Sequence, residues 1–552
     1  MNHFVQRLLP YRWLRICACV FLGLCAALGG GYGWIEWHGA HRWEEVESML
    51  RREGETLDFR TNAPDTVPDD QNFCAIPPLK DIALVYSEKN DISALGIKFK
   101  RLNEAGLPYD NLDNRTLMGA GVSGGANPGA QAKFKARPPL GRGASMGTAT
   151  DMNAWADFLR SAEPQIAKAR TANPGRDVLE ALSGNDGLIH ELAQGLSRPG
   201  SQWTPAWKIR DVTEDGYPIP ISIATIDAIQ QLTAMLCLRS TATANAGEAA
   251  AFEPLEIAVR MNEAYQTEPF LISTVIAAGA DCHISGGVWE VCGARTGSEE
   301  DYRALQEALA RVDLKAAMLC AERGEAPLAA LESAAMTHSP MRVINALGIP
   351  KESRLRLLVP LIPDGWIEAN EATVAEWNLD YYLKPLRDGG LREALASDTN
   401  LAAICAADRS ELPKNLDEVI ALSMLPNTDV IHRAIYAQDL IDESIAACAL
   451  ERYRMEHGAY PDRLDAANHP GEPAIPLDII SGRPMGYRRT ADGRYVIWCV
   501  AFNGKDHGGK RVLGGKNREP TNAAYAGDWV WDFSGLPDRS PDTSSEPRRR
   551  EH

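Results

Sequence analysis

The fold class this sequence predicts is mainly α: an irregular helical array, a small C-terminal α+β module (a helix on an antiparallel sheet) and one N-terminal transmembrane helix. Three observations predict it. Apolar residues recur at three- and four-residue steps from about position 151 to 430. Strand-like runs and tight turn signals are confined to 431–535. Ile16 to Ile35 is a run of 20 residues without a formal charge.

At 1.5 Å per residue that run spans roughly 30 Å, the thickness of a bilayer's hydrocarbon core. Arg7, Arg12 and Arg15 precede it, while Arg42 beyond it stands among Glu36, Glu44 and Glu45. The excess of basic residues on the leading side predicts a cytoplasmic N-terminus, residues 1–15, with the bulk of the chain outside. For a bacterial cell this means a single pass through the inner membrane and a periplasmic or otherwise extracytoplasmic body. Tyr11 and Trp13 suit one interface, Trp34 and Trp37 the other. A cleaved signal peptide is the competing reading, but no A-x-A site follows the run, and Leu24 before Cys25 does not suit a lipoprotein site. Gly29 and Gly33 form a GxxxG, either a helix-packing face or a chance match in a Gly-rich span.

Residues 36–117 read as a juxtamembrane helix, polar from Arg42 to Gly54, followed by extended chain. The Pro-rich segment Val67 to Leu79 either docks on the body through Asn72 and Phe73 or serves as a passive spacer. Residues 118–150, rich in Gly, Ala and Pro, read as a flexible linker. They hold two G-x-S-x-G matches, at Ser123 and Ser145, neither with the strand-before and helix-after context of a nucleophile elbow.

Residues 151–430 form the helical domain, about ten helices. Its inner faces are marked by Trp155, Phe158 and Leu159, by Leu188, Ile189, Leu192 and Leu196, and by Ile226, Ile229, Leu232 and Leu236. Ser298 and Asp301 predict a capping box ahead of Tyr302, Leu305, Leu309 and Val312. No 34-residue repeat is visible, so a tetratricopeptide array is not indicated.

In the C-terminal module, Ile431, Ile435, Ile441, Ile445 and Cys448 form one stripe, and Gly458 and Pro461 mark the helix end. Tyr495 to Val500 is a continuous apolar run, a strand buried on both faces, after the turn signal Asp492-Gly493. Trp529 to Phe533 reads as a short edge strand, and residues 536–552 as a disordered tail. The segments ALERYRMEHGAYPDRL, IPLDIISGRPMGYR, AFNGKDHGGK and GDWVWDF resemble the globular domain of type II secretion major pseudopilins. They also resemble the C-terminal module of an uncharacterised family of single-span bacterial membrane-anchored proteins with a helical body. VPDDQNFCAIPPL, SRPGSQW, EPFLISTVIAAGA, VWEVC, YRALQEAL and CAERGE extend the second resemblance over most of the chain. In pseudopilins the apolar helix opens the mature protein; here it begins near residue 431. The resemblance therefore implies a pseudopilin-like fold and an envelope location, not a filament or a chemistry.

Composition narrows the function. With 57 Lys and Arg against 74 Asp and Glu the net charge is −17, which repels phosphate backbones and argues against nucleic-acid binding. The eleven cysteines contain no CxxC pair. Cys282 and Cys292 either pair or remain free buried thiols. His190-Glu191 begins like a zincin motif but has Gln194 in place of the second histidine. Asp281, Cys282, His283 and Cys292 offer metal-ligand types, although Gly286-Gly287 reads as a surface loop between them. Glu322, Arg323 and Glu325 read as one interhelical ion-pair network. Asn503, Asp506 and Asp528 offer oxygens for a Ca2+ ion if the Gly-rich loop folds back on the last strand. Pseudopilins hold calcium in a comparable loop; a plain hairpin is the alternative. No convergent catalytic set or cofactor motif is present. The sequence thus favours an envelope-facing scaffold anchored through residues 16–35 and binding protein partners. An enzyme acting on envelope polymers through an acidic cleft and a component of a secretion-like assembly are the alternatives.

Overall fold

The computed structural model describes residues 2–77, 79–80, 140, 147–162, 171–204, 223–337, 339–346, 349–350, 353–409, 416–419, 428–511 and 527–536. Fourteen α-helices lie among them. They are α1 (Asn2–Arg52), α2 (Met152–Ala162), α3 (Pro174–Leu182), α4 (Asp186–Gln194), α5 (Ile223–Ala246), α6 (Glu253–Asn262) and α7 (Leu271–Ala294). Then come α8 (Glu299–Leu309), α9 (Leu314–Thr337), α10 (Pro340–Ala346), α11 (Asp364–Asn378), α12 (Lys384–Asp388), α13 (Leu391–Arg409) and α14 (Thr428–His457). Three strands, β1 (Gly486–Arg489), β2 (Tyr495–Cys499) and β3 (Trp529–Trp531), form one antiparallel sheet in the order β1-β2-β3. Ser123 and Ser145 of the two G-x-S-x-G matches and residues 537–552 lie outside the described residues.

Helix α14 is the axis of the body. Its stripe Ile431, Ile435, Ile441, Ile445 and Cys448 is buried, each residue at most 3% exposed. Burying each isoleucine favours the fold by about 1.5–3 kcal/mol, an upper bound because unfolded chains already bury some surface. The helix stops at Gly458, whose φ of +76° suits a residue without a Cβ. α7 crosses α14 and is tied to it by Ser285, whose hydroxyl donates to the Leu440 carbonyl at 3.1 Å, and by Ser444, which donates to Ser285 Oγ at 3.1 Å. α8 begins with the expected capping box, Ser298 accepting from Asp301 N–H at 3.2 Å while Asp301 accepts from Ser298 N–H at 2.7 Å. Arg452 on α14 then pairs with Glu299 at 2.7 Å, holding α8 against it.

The sheet closes over α14. β2 is the central strand, with Ile497 paired to Tyr487 on one side and Trp531 on the other. The turn at Asp492-Gly493 joins β1 to β2, with Gly493 at φ +73°. β3 is an edge strand by pairing but is not open to solvent: Trp529, Val530 and Trp531 are buried, and Trp289 of α7 donates its indole N–H to the Asp532 carbonyl at 2.7 Å. Covering an edge in this way removes a template for strand addition.

Several expectations are corrected. Gly286-Gly287 is not a loop: both lie buried inside α7. A Cβ on Gly287 would come within 2.6 Å of Leu255 Cδ2, so the glycine admits α6 close to α7. Cys282 and Cys292, ten residues apart on that one helix, are separated by about 15 Å along its axis, too far for a disulfide. Neither is in a disulfide. Burial, then a hydrogen bond with Cys448, pushes the Cys292 thiol well above its ordinary pKa. Glu322 and Glu325 stand three apart on one side of α9, and each of Glu322, Arg323 and Glu325 has a partner on another segment. Glu322 accepts from Asn378 at 2.6 Å, Arg323 pairs with Glu55 at 3.0 Å, and Glu325 accepts from the Leu271 N–H at 3.3 Å. The Pro-rich segment docks: Phe73 is fully buried, and Asn72 exchanges hydrogen bonds with the Gln202 backbone at 2.9 and 3.0 Å. At the far end of the Gly-rich stretch, Thr150 is buried and its N–H donates to Glu290 at 2.6 Å.

Candidate functional site

The junction between α1 and the body is the first functional feature. α1 runs without a break from the apolar run into the body. Residues 16–34 are exposed throughout, and the window of α1 suited to crossing a membrane is 0% buried, with mean hydropathy 1.8. α7 also meets that length and hydropathy test, but 67% of its window is buried inside the helical body. Just past Ile35, α1 meets α11 at two glycines. A Cβ on Gly39 would lie 1.9 Å from the Gly365 carbonyl oxygen, and one on Gly365 would lie 2.4 Å from the Ile35 oxygen. Only glycine at both positions lets the two backbones approach so closely.

Polar contacts run up this seam. Glu36 accepts the Gly365 N–H at 2.9 Å, His38 bonds Asp417 at 2.7 Å, and Arg42 pairs with Glu376 at 2.6 Å. Above them Val46 and Leu50 are buried with Ala372, Ala375, Leu379 and Leu383. The segment 42–54 is therefore not purely polar: one face belongs to the core. Past the helix end, Arg387 pairs with Glu53 at 3.0 Å. That hydrogen bond, with the charge of Lys384, holds the Glu53 carboxyl below its usual range. By contrast, a Cβ placed on Gly29 or Gly33 would have nothing within 4 Å of it.

The second feature is a sealed group of acids under the sheet. Asp439 and Glu443 of α14 are both 0% exposed, and Asp478 is 2% exposed. Asp439 accepts the Ile479 N–H at 3.2 Å, and Asp478 accepts from Ser481 N–H at 2.9 Å and Val500 N–H at 2.7 Å. Burial, then the Asp442 and Asp478 carboxyls, drives the Asp439 pKa well up. Burial, then Asp439, does the same to Glu443, with Arg511 opposing. Burial raises Asp442 to about 7 against its hydrogen bond from Gln438. Burial thus favours the protonated forms of Asp439, Asp442 and Glu443, and it keeps these side chains from acting on a large substrate.

A surface cleft of about 380 Å³ lies between α3, α4, α5 and α6 and is lined by Arg176, Glu180, Asp186, Arg239, Glu248 and Glu253 among others. Arg239 pairs with Asp186 at 2.7 Å and Arg176 with Glu248 at 3.6 Å. None of Glu268, Asp281, Asp439, Asp442 and Glu443, whose pKa values burial raises, lines it.

The Gly-rich loop folds back on β3, the condition on which the ion site depended. Asp528 is buried at its base and accepts the N–H groups of His507 at 3.0 Å and Gly509 at 2.8 Å. Asp506 accepts the Trp498 indole N–H at 3.0 Å and the Gly508 N–H at 2.8 Å. Asn503 accepts the Lys505 N–H at 2.8 Å, and its amide nitrogen meets His507 Nε2 at 3.2 Å. Hydrogen bonds thus occupy all three side chains. Among the described residues no group of three or more His, Cys, Asp and Glu is arranged to hold a metal ion. His190 is exposed and meets Gln194, at 2.9 Å.

The seam residues were missed by sequence reasoning. Gly39 and Gly365 are far apart in the chain and carry no motif; only the apolar positions Val46 and Leu50, four apart, hinted that α1 has a packed face. No family model matches this chain, and neither a curated protein nor a solved structure does.

Proposed function

We propose that the protein is a single-span membrane scaffold whose helical body stands on the extracytoplasmic side and offers its surface to protein partners. The observation that carries this reading is the unbroken α1, which leaves the apolar run and contributes Val46 and Leu50 to the core of the body. A detachable leader has no reason to share a glycine seam and ion pairs with the domain it delivers; a permanent anchor does. The arginines before residue 16 favour a cytoplasmic N-terminus, and hence an inner-membrane protein with a periplasmic body. The helix-on-sheet arrangement of α14 and β1–β3 agrees with a pseudopilin-like module. α7, α8 and α13 also pack on α14, so this helix is not free to join a filament. The carboxyls of Asp439, Asp442 and Glu443 are sealed under the sheet, which favours a scaffold over a polymer-cleaving enzyme that would use them.

The test is cross-linking in cells, followed by purification of the detergent-solubilised full-length protein. The reading expects the same envelope proteins in replicate purifications, absent from a control that carries α1 alone. The absence of any reproducible partner overturns it.

A further inference from the structure

Among the described residues, large apolar side chains on the body are exposed singly, with one exception. Outside α1, Ile272, Ile404, Met455 and Leu477 are exposed on four different segments. Met341 in the first turn of α10 and Leu357, Leu358 and Leu361 before α11 instead lie on neighbouring segments, at 54%, 78%, 57% and 69% exposure. Arg356, beside Leu357, reaches Met341 Sδ at 3.4 Å and so links the methionine to the leucine segment. Two short turns, Arg354–Leu357 and Val359–Leu361, carry it. Their inner side is fixed: Val359 is buried with Met336, Val343, Ile344 and Ile367. The leucines are therefore held outward by a packed base, not left loose.

The position of the patch tells what covers it. The contacts of α1 with α11 advance together along both helices, Glu36 with Gly365 and then Arg42 with Glu376. α11 thus runs parallel to α1, away from the membrane, and its first turn sits level with Ile35, where the apolar run ends. The patch precedes that first turn. Leu361 is four residues before Gly365, so it lies within ~14 Å of a backbone that touches Ile35. Trp34 and Trp37, both exposed, mark the same level as a bilayer interface. Arg354 is exposed beside the leucines, and Arg342 and Arg356 are half-buried among them. Apolar side chains flanked by arginines are the pattern of a segment lying in the headgroup region, its leucines in the acyl boundary and its guanidinium groups on phosphates.

We propose that Met341, Leu357, Leu358 and Leu361 form a second membrane contact, a shallow apolar foot that dips into the outer face of the bilayer crossed by α1. This rests on the anchor reading above. The foot and the glycine seam together fix the tilt and rotation of the body on the membrane, so that the same surface always faces away from it.

The test uses the full-length protein in vesicles of zwitterionic and anionic phospholipids. Photoreactive p-benzoylphenylalanine replaces Leu358, and in parallel Val20 in the apolar run or Leu477 on the sheet module. After irradiation, adducts are identified by mass spectrometry. The expected result is lipid adducts at positions 20 and 358 and none at 477. Lipid at 20 with none at 358, or only peptide adducts at 358, overturns the foot and leaves the anchor standing. No lipid at position 20 overturns the anchor and the foot with it.

Discussion

Asp281→Asn isolates the effect of one buried proton. Asp281 is 0% exposed on α7; its Oδ1 accepts from Asn262 at 2.6 Å, and its Oδ2 has no partner among the described residues. Burial pushes its pKa from 3.8 to about 8, against the Asn262 hydrogen bond. The unfolded carboxyl releases its proton near 3.8, the native one near 8. Between these values the native state holds the extra proton, so its stability falls as pH rises, by about 1.4 kcal/mol per pH unit. Stability from this group is complete below about pH 4 and fully lost above about pH 8. Between pH 5 and 7 the loss is ~3 kcal/mol. Asparagine keeps the acceptor for Asn262 and has no proton to lose. Glu268 and Asp442, each raised to about 7 by burial, contribute with the same sign but are common to both proteins and cancel in the difference. The assay is urea unfolding of full-length protein in detergent at several pH values. The variant should gain ~3 kcal/mol on the wild type between pH 5 and 7. Parallel pH profiles would refute the argument, because they would mean that Asp281 titrates alike in both states.

Two further outcomes follow from the geometry. Gly39→Ala forces α1 off Gly365 and should destabilise the protein by about 1–3 kcal/mol, read as a lower melting temperature in detergent. Gly33→Ala, with open space around it, should leave melting unchanged; equal effects of the two would deny the seam. Asp528 and Asp506 accept N–H groups that hold the loop closed, so melting in calcium should match melting in chelator. A clear rise in calcium, lost in Asp528→Asn, would instead establish the ion.

The sequence carried local order better than it carried burial. The stripe of α14, the Asp492-Gly493 turn and the Ser298 capping box are short-range patterns, and each formed where its spacing indicated. Asp439, Asp442 and Glu443 look like a solvated face in sequence. They are buried because α7, α8, α13 and the sheet pack around α14, a fact that no period along one helix encodes. Gly286-Gly287 resembled a loop for the same reason: its helical role depends on Leu255 of a different helix. Twelve helices are described between 151 and 425, where about ten were expected, because short turns such as Lys384–Asp388 have too few residues to show a period. The seam at Gly39 and Gly365 joins distant segments and was invisible for that reason. The Arg42–Gly54 face was only partly legible: its charges suggested solvent, while Val46 and Leu50 belong to the core.

Whether α1 is retained and fixes the body to a bilayer is read from the intact mass and N-terminal residue of the protein recovered from alkali-washed membranes. A retained anchor leaves the uncleaved chain, beginning at Met1 or Asn2, in the membrane pellet. A protein that begins beyond Leu28 and appears in the soluble fraction would show instead that α1 is a leader, and the scaffold reading would fall with it.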